Sequence, residues 1–175
     1  MNSLFGEVRQ IGLMSRDIDR SMRYFIDAWG VGPWYVLRNV KSPMVYRGQP
    51  TDPEISLALS NCGDLQLEIV AQHNHAPSLY REVLGATPAL HIQHMGIWTS
   101  DFDRMRADAV ARGWTPIMET PPGPGSSCFV IHPDEPMVCV EISDCDEYKN
   151  YVRKVVREVA MDWDGNDPVR EGLPS

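Results

Sequence analysis

Hydrophobic and polar positions along this chain switch between a strand period and a helix period. Residues 7–15, Glu-Val-Arg-Gln-Ile-Gly-Leu-Met-Ser, read as a short, largely apolar strand. From Ile18 the spacing turns helical. Ile18, Met22, Phe25, Ile26 and Trp29 fall on one stripe, which places Trp29 in the core. Asp17 stands where a helix cap belongs, and Gly30, Gly32 and Pro33 stop the helix. Strands are predicted at 34–40, 54–60 and 64–71, the last two joined by a turn at Asn61-Cys62-Gly63-Asp64. The stretch 41–53 carries Pro43, Pro50 and Pro53 and reads as irregular, with one short strand at 44–47.

The pattern then repeats. Gln10-Ile-Gly-Leu-Met-Ser-Arg-Asp-Ile-Asp-Arg-Ser is echoed by His94-Met-Gly-Ile-Trp-Thr-Ser-Asp-Phe-Asp-Arg-Met. Gly12, Asp17, Asp19 and Arg20 recur as Gly96, Asp101, Asp103 and Arg104. The second copy predicts a strand at 91–99 and a helix at 102–112, capped by Asp101 and stopped by Gly113, with Phe102, Met105, Ala109 and Val110 on its buried stripe. Strands follow at 114–119, 127–132 and 136–143, around a Pro/Gly loop at 121–125. Each half reads β-α-β-β-β, an α+β chain with a first module at 5–71, a linker with a short helix at 72–90, and a second module at 91–143. Residues 144–175 form a C-terminal helix, about 146–160, and a polar tail that reads as an extended arm. Tyr148, Val152, Val155, Val156 and Val159 share one face of that helix.

Composition narrows the partners. A net charge of −8 over 175 residues argues against nucleic acid, which needs a basic face. No apolar run approaches the roughly 20 residues that span a bilayer, and the first residues show no leader pattern. Cys62, Cys128, Cys139 and Cys145 lack metal-site or disulfide spacing, as expected of reduced thiols in the cytoplasm.

The repeat also carries chemistry. Gln10 and His94 hold matched places, and so do Glu68 in Leu67-Glu68-Ile69 and Glu141 in Val140-Glu141-Ile142. Each carboxylate interrupts an apolar strand, where an unpaired charge is costly. Taken singly, such residues are ordinarily solvent-facing or hydrogen-bonded core groups. Matched in two copies, Gln10, Glu68, His94 and Glu141 make a donor set for one divalent ion such as Zn, Ni, Co, Mn or Fe. Strand periodicity puts Met14, Gln66, Trp98, Cys139 and Ser143 on the donors' faces, as the walls of a pocket for a small molecule.

These stretches resemble the vicinal oxygen chelate superfamily, which includes glyoxalase I, methylmalonyl-CoA epimerase, extradiol dioxygenases and bleomycin and fosfomycin resistance proteins. The resemblance rests on Gln10-Ile-Gly-Leu with Asp17-Ile-Asp-Arg, Leu67-Glu68-Ile69-Val70, His94-Met-Gly-Ile with Asp101-Phe-Asp, and Val140-Glu141-Ile142, and it covers about 5–143. It implies two tandem βαβββ modules that form a cupped mixed sheet around one metal site, and commonly a homodimer. Iron dioxygenases and methylmalonyl-CoA epimerases usually have His where this chain has Gln10. The order Gln, Glu, His, Glu is similar to zinc-dependent glyoxalase I, without a glutathione-binding signature. Gly30-Val-Gly-Pro-Trp-Tyr and Trp163-Asp-Gly-Asn-Asp-Pro look like a less characterised glyoxalase-like branch. The implied function is a metal-dependent isomerase, epimerase or lyase acting alpha to a carbonyl on a small apolar or aromatic substrate through a metal-stabilised enolate. Glu141 and Glu68 would be its acid/base pair. The alternatives are a drug-sequestering protein of the same fold and an Fe(II) ring-cleaving dioxygenase.

Overall fold

The computed structural model describes residues 3–84 and 89–175. Residues 85–88 of the expected linker lie outside the described residues. Module one runs β1 (Gln10–Ser15), α1 (Ile18–Trp29), β2 (Trp34–Lys41), β3 (Met44–Tyr46), β4 (Gln49–Thr51), β5 (Glu54–Cys62) and β6 (Leu65–Gln72). A short helix, α2 (Leu79–Leu84), leads towards β7 (Leu90–Thr99), α3 (Phe102–Ala111), β8 (Thr115–Glu119), β9 (Ser127–His132) and β10 (Glu135–Asp144). The chain ends with α4 (Glu147–Met161) and β11 (Val169–Glu171).

One mixed sheet holds these strands in the order β11-β2-β5-β6-β1-β7-β10-β9-β8-β3-β4. Its centre is the antiparallel pair of β1 and β7, the two copies of the repeated strand. β6 runs parallel to β1 on one side and β10 parallel to β7 on the other. The modules are therefore related by an approximate two-fold axis between β1 and β7.

A short link forces the sheet to curl. Only Ser42 and Pro43 separate β2 from β3, yet these strands lie second from opposite ends of the sheet. In a flat sheet their eight inter-strand steps of about 4.8 Å would hold them nearly 40 Å apart. Two linking residues reach roughly 10 Å. The sheet accordingly closes into a cup, and residues from both modules meet inside it. Met14, Met44, Ile55, Val70, Tyr80, Met118, Phe129 and Cys139 form one buried cluster. The convex surface is covered by helices, with Met22 and Phe25 of α1 on Trp34 and Ile69, and Ala109 of α3 on Val130 and Ile142.

Five expectations need correction. Val110, expected on the buried stripe of α3, is 45% exposed. Trp29 is 60% exposed, because α1 carries it beyond the edge of the buried stripe, and its Nε1 donates to Tyr24 Oη. Asp17 caps α1 by accepting from the Arg20 amide, but Asp101 makes no side-chain cap bond to α3. Residues 41–53 are a β-hairpin rather than mostly irregular: Arg47 and Gly48 take positive φ and turn β3 into β4. Pro50 is tolerated there because β4 is the edge of the sheet. The tail is also more than an arm. β11 pairs with β2, and the Trp163 ring packs on Gly32, so the two segments singled out around these residues meet.

Ile69 and Ile142 follow Glu68 and Glu141 and face the opposite side of the sheet, fully buried under α1 and α3. Ile69→Ala and Ile142→Ala should each lower stability by about 2–5 kcal/mol in urea unfolding. Residues on the concave face should be left in place.

Candidate metal centre

The register of β1 against β7 builds the site. Gln10 lies opposite Gly96, and Gly12 lies opposite His94. Each long side chain therefore rests on the neighbouring strand where no side chain stands. A Cβ on Gly96 would sit 2.7 Å from Gln10 Oε1, and one on Gly12 would collide with the His94 ring. The recurring glycine of the repeat is thus a space requirement. The outer strands complete the arrangement: Glu68 is in register with Gly12, and Glu141 with Gly96.

Three oxygens converge on one nitrogen. His94 Nε2 is 3.3 Å from Glu141 Oε2, 3.4 Å from Glu68 Oε2 and 3.4 Å from Gln10 Oε1. The ligand atoms of Glu68, His94 and Glu141 all lie within 4.8 Å of one another. Ligands held tetrahedrally at roughly 2.0–2.1 Å from an ion stand about 3.3–3.4 Å apart, so this donor set fits a divalent cation. One imidazole with three oxygens, and no thiolate, suits a borderline-to-hard ion.

The surroundings aim these donors. Gln10 Nε2 donates to Gln66 Oε1, which leaves Gln10 Oε1 directed at the cluster. His94 Nδ1 is 2.6 Å from Gln93 Oε1, so the neutral ring keeps its lone pair on Nε2. Adjacent strand residues ordinarily face opposite sides. Here a β-bulge intervenes: Gly12 pairs with His94 while Leu13 pairs with Ile92, and Gln93 is the extra residue. Gln93 Nε2 in turn lies 3.7 Å from Cys139 Sγ, and Phe129 meets the His94 ring edge-on.

Electrostatics follow from this packing. Burial opposes charge on His94, but hydrogen bonds and charge from Glu141 and Glu68 prevail and raise its pKa from 6.5 to about 9. Burial also opposes charge on Glu141, yet His94, the Lys149 charge and Ser127 hold its carboxyl below the usual carboxylate range. In the ion-free chain His94 thus contributes stability that is fully present below pH 6.5 and lost as pH rises through about 9. Burial pushes the Cys139 thiol up to about 12, so it stays protonated.

A cavity of about 310 Å³ opens beside the cluster, lined by Gln10, Glu68 and Glu141. Of the expected pocket residues, Gln66 and Ser143 line it. Met14 and Cys139 are buried beneath, in the apolar cluster of the cup. Trp98 lies in a neighbouring groove, with the guanidinium of Arg153 over its ring at 4.3 Å. The cavity also takes Leu57 and Leu59 from β5 and Tyr148, Lys149, Val152 and Arg153 from α4. Sequence reasoning missed the lysine and arginine as site residues, although both lie one turn from the apolar face that seats α4. It missed Gln93 because a bulge leaves no mark in the periodicity.

Two outcomes follow. Gly12→Ala should displace the His94 ring and weaken binding of Zn by about 10–100-fold in a chelator competition, with Gly96→Ala less severe because a flexible glutamine can shift. Loading the ion-free protein with Zn at pH 7 should release about one proton per ion, since a ligating imidazole must be neutral, and the release should fade as pH rises through about 9.

Residues 9–132 match the family described as the glyoxalase/bleomycin resistance protein/dioxygenase superfamily. Methylmalonyl-CoA epimerase from Mycobacterium tuberculosis superposes with a TM-score of 0.58 at 16% identity, over 86% of this chain and 95% of that chain. A hypothetical protein from Bacillus halodurans C-125 gives 0.59 at 13% identity, over 81% and 95%. A methylmalonyl-CoA epimerase in complex with methylmalonyl-CoA and ammonium gives 0.50 at 16% identity, over 80% and 94%. At these identities the likeness concerns the fold alone. No curated protein matches the sequence. Among the described residues no helix is long and apolar enough to cross a membrane. The family match, the paired modules and the curled mixed sheet agree: the chain belongs to the glyoxalase/bleomycin resistance protein/dioxygenase superfamily.

Proposed function

We propose that this protein is a divalent-metal-dependent enzyme that moves a proton alpha to a carbonyl, with Gln10, Glu68, His94 and Glu141 holding the ion and Glu68 and Glu141 handling the proton. The observation that carries this reading is the pair of carboxylates. Both stand close to one imidazole nitrogen, at 3.4 and 3.3 Å, and both line the same cavity.

A divalent ion held by Gln10, Glu68, His94 and Glu141 would supply Lewis-acid stabilisation of negative charge on the substrate carbonyl oxygen. One glutamate then accepts the alpha proton, and the C–H electron pair delocalises onto that oxygen. If the second glutamate has first taken a proton from water, its delivery of that proton to the other face of the same carbon gives epimerisation, and the first glutamate returns the abstracted proton to solvent. Delivery to an adjacent carbon gives isomerisation. Gln66 offers a further contact: it lines the cavity, and its buried Nε2 has no hydrogen-bond partner among the described residues. A substrate oxygen would satisfy that donor. Leu57, Leu59 and Val152 supply apolar walls that keep water from the charged centre.

The test is exchange of the alpha hydrogen with D2O, followed by NMR on the Zn-loaded protein, using methylmalonyl-CoA and the hemithioacetal of phenylglyoxal as probes. The wild type should exchange at least one of them. Glu141→Gln and Glu68→Gln should each slow exchange by about 10²–10⁴-fold. Absence of exchange on both probes, with the ion bound, would contradict the reading.

A further inference from the structure

The cavity carries a second set of charged groups that the proton-transfer scheme does not use. Lys149 and Arg153 are one turn apart on α4, and both line the cavity together with Glu68 and Glu141. Their heads converge on one oxygen. Lys149 Nζ donates to Ser143 Oγ at 2.9 Å and to Ser127 Oγ at 3.1 Å, and Arg153 Nη2 donates to the same Ser143 Oγ at 2.9 Å. Arg153 Nη1 is taken by the Asp144 carbonyl and Cys145 Sγ, and stacking on Trp98 fixes the plane of the guanidinium.

Shielded cations are normally paired with carboxylates. Among the described residues neither of these heads forms an ion pair; their partners are hydroxyls, a carbonyl and a thiol. Asp146, the nearest acid on α4, is engaged as the helix cap through the Lys149 amide. The glutamates attract Lys149 across the cavity, and a divalent ion would neutralise them. Asp146 would then be the one carboxylate of the cavity lining left to balance the two cations.

We propose that Lys149 and Arg153 form a carboxylate subsite, so that the substrate is a small carbonyl compound bearing a carboxylate a few atoms from the reacting carbon. The spacing comes from β10: Ser143, on which the cations converge, is two residues beyond Glu141 on the same strand face, about 7 Å away. A monoanion fits better than a phosphate dianion, since Asp146, Glu68 and Glu141 also border the cavity. α4 lies beyond residues 9–132, so this subsite is set by a part of the chain outside the family match. The reacting carbonyl in this proposal rests on the proton-transfer reading above; the anion subsite does not.

Calorimetry on the Zn-loaded full chain tests it with three probes: 4-oxopentanoate, its neutral counterpart 2-pentanone, and dihydroxyacetone phosphate. 4-Oxopentanoate should bind at least about tenfold more tightly than 2-pentanone, the size of one charge-assisted hydrogen bond. In Lys149→Met/Arg153→Met the preference should vanish while 2-pentanone affinity and Zn content stay unchanged. Should the double variant not fold, Lys149→Gln and Arg153→Gln carry the test, each removing part of the preference. Equal affinities in the wild type, a preference that survives these changes, or tighter binding of the phosphate would overturn the proposal. A carboxylate preference that depends on α4, in a protein that exchanges no alpha proton, would sink the proposed reaction and leave the subsite standing.

Discussion

The antiparallel pairing of β1 with β7 is the constraint on which the rest depends. It sets Gln10 over Gly96 and His94 over Gly12, so each half of the molecule supplies the gap that the other half fills. A slip of one residue would turn both donors to the convex face. The parallel partners then have no freedom: with β6 and β10 in register, Glu68 and Glu141 arrive beside the same two glycines. Four polar side chains that would be costly apart become mutually satisfying around one point.

The curl of the sheet gives that point its setting. The Ser42-Pro43 link draws the ends of the strand order together, and the apolar cluster beneath the donors fills the interior. The floor of the cup is thus apolar beneath the donors, and the open side is left to β5, β10 and α4. Charge is layered in the same direction. The carboxylates and the imidazole lie at the floor, and Lys149 and Arg153 lie at the rim, tied down by Ser127 and Ser143. Helix α4 therefore contributes both cover, through Val152 and Val156 on Leu59, and cationic groups that the two modules lack there.

Much of this was legible in the sequence because duplication makes a register visible. Ligand candidates at matched places in two copies signal a shared point, which no single strand glutamate or histidine could do. The element order followed from periodicity and stop signals, plainly at α1 with its buried Ile18, Met22 and Phe25 and weakly at α3, where only Ala109 is buried. What stayed hidden depended on departures from periodicity or on distant contacts. The bulge at Gln93 turned a neighbour of His94 onto its own side. Trp29 matched the helical stripe by spacing, but the sheet ends before it. Trp98 had the right strand phase, yet α4 claims its ring through Arg153. The hairpin at β3 and β4 was obscured by prolines that an edge strand accepts.

Whether one ion sits among Gln10, Glu68, His94 and Glu141 is read out by X-ray absorption at the metal edge of the Zn-loaded protein. The spectrum should show one imidazole nitrogen with oxygens at roughly 2.0–2.2 Å, and His94→Ala should lose the imidazole signature. A sulfur neighbour at about 2.3 Å, which would bring in a cysteine such as Cys139, or a second imidazole, would contradict it.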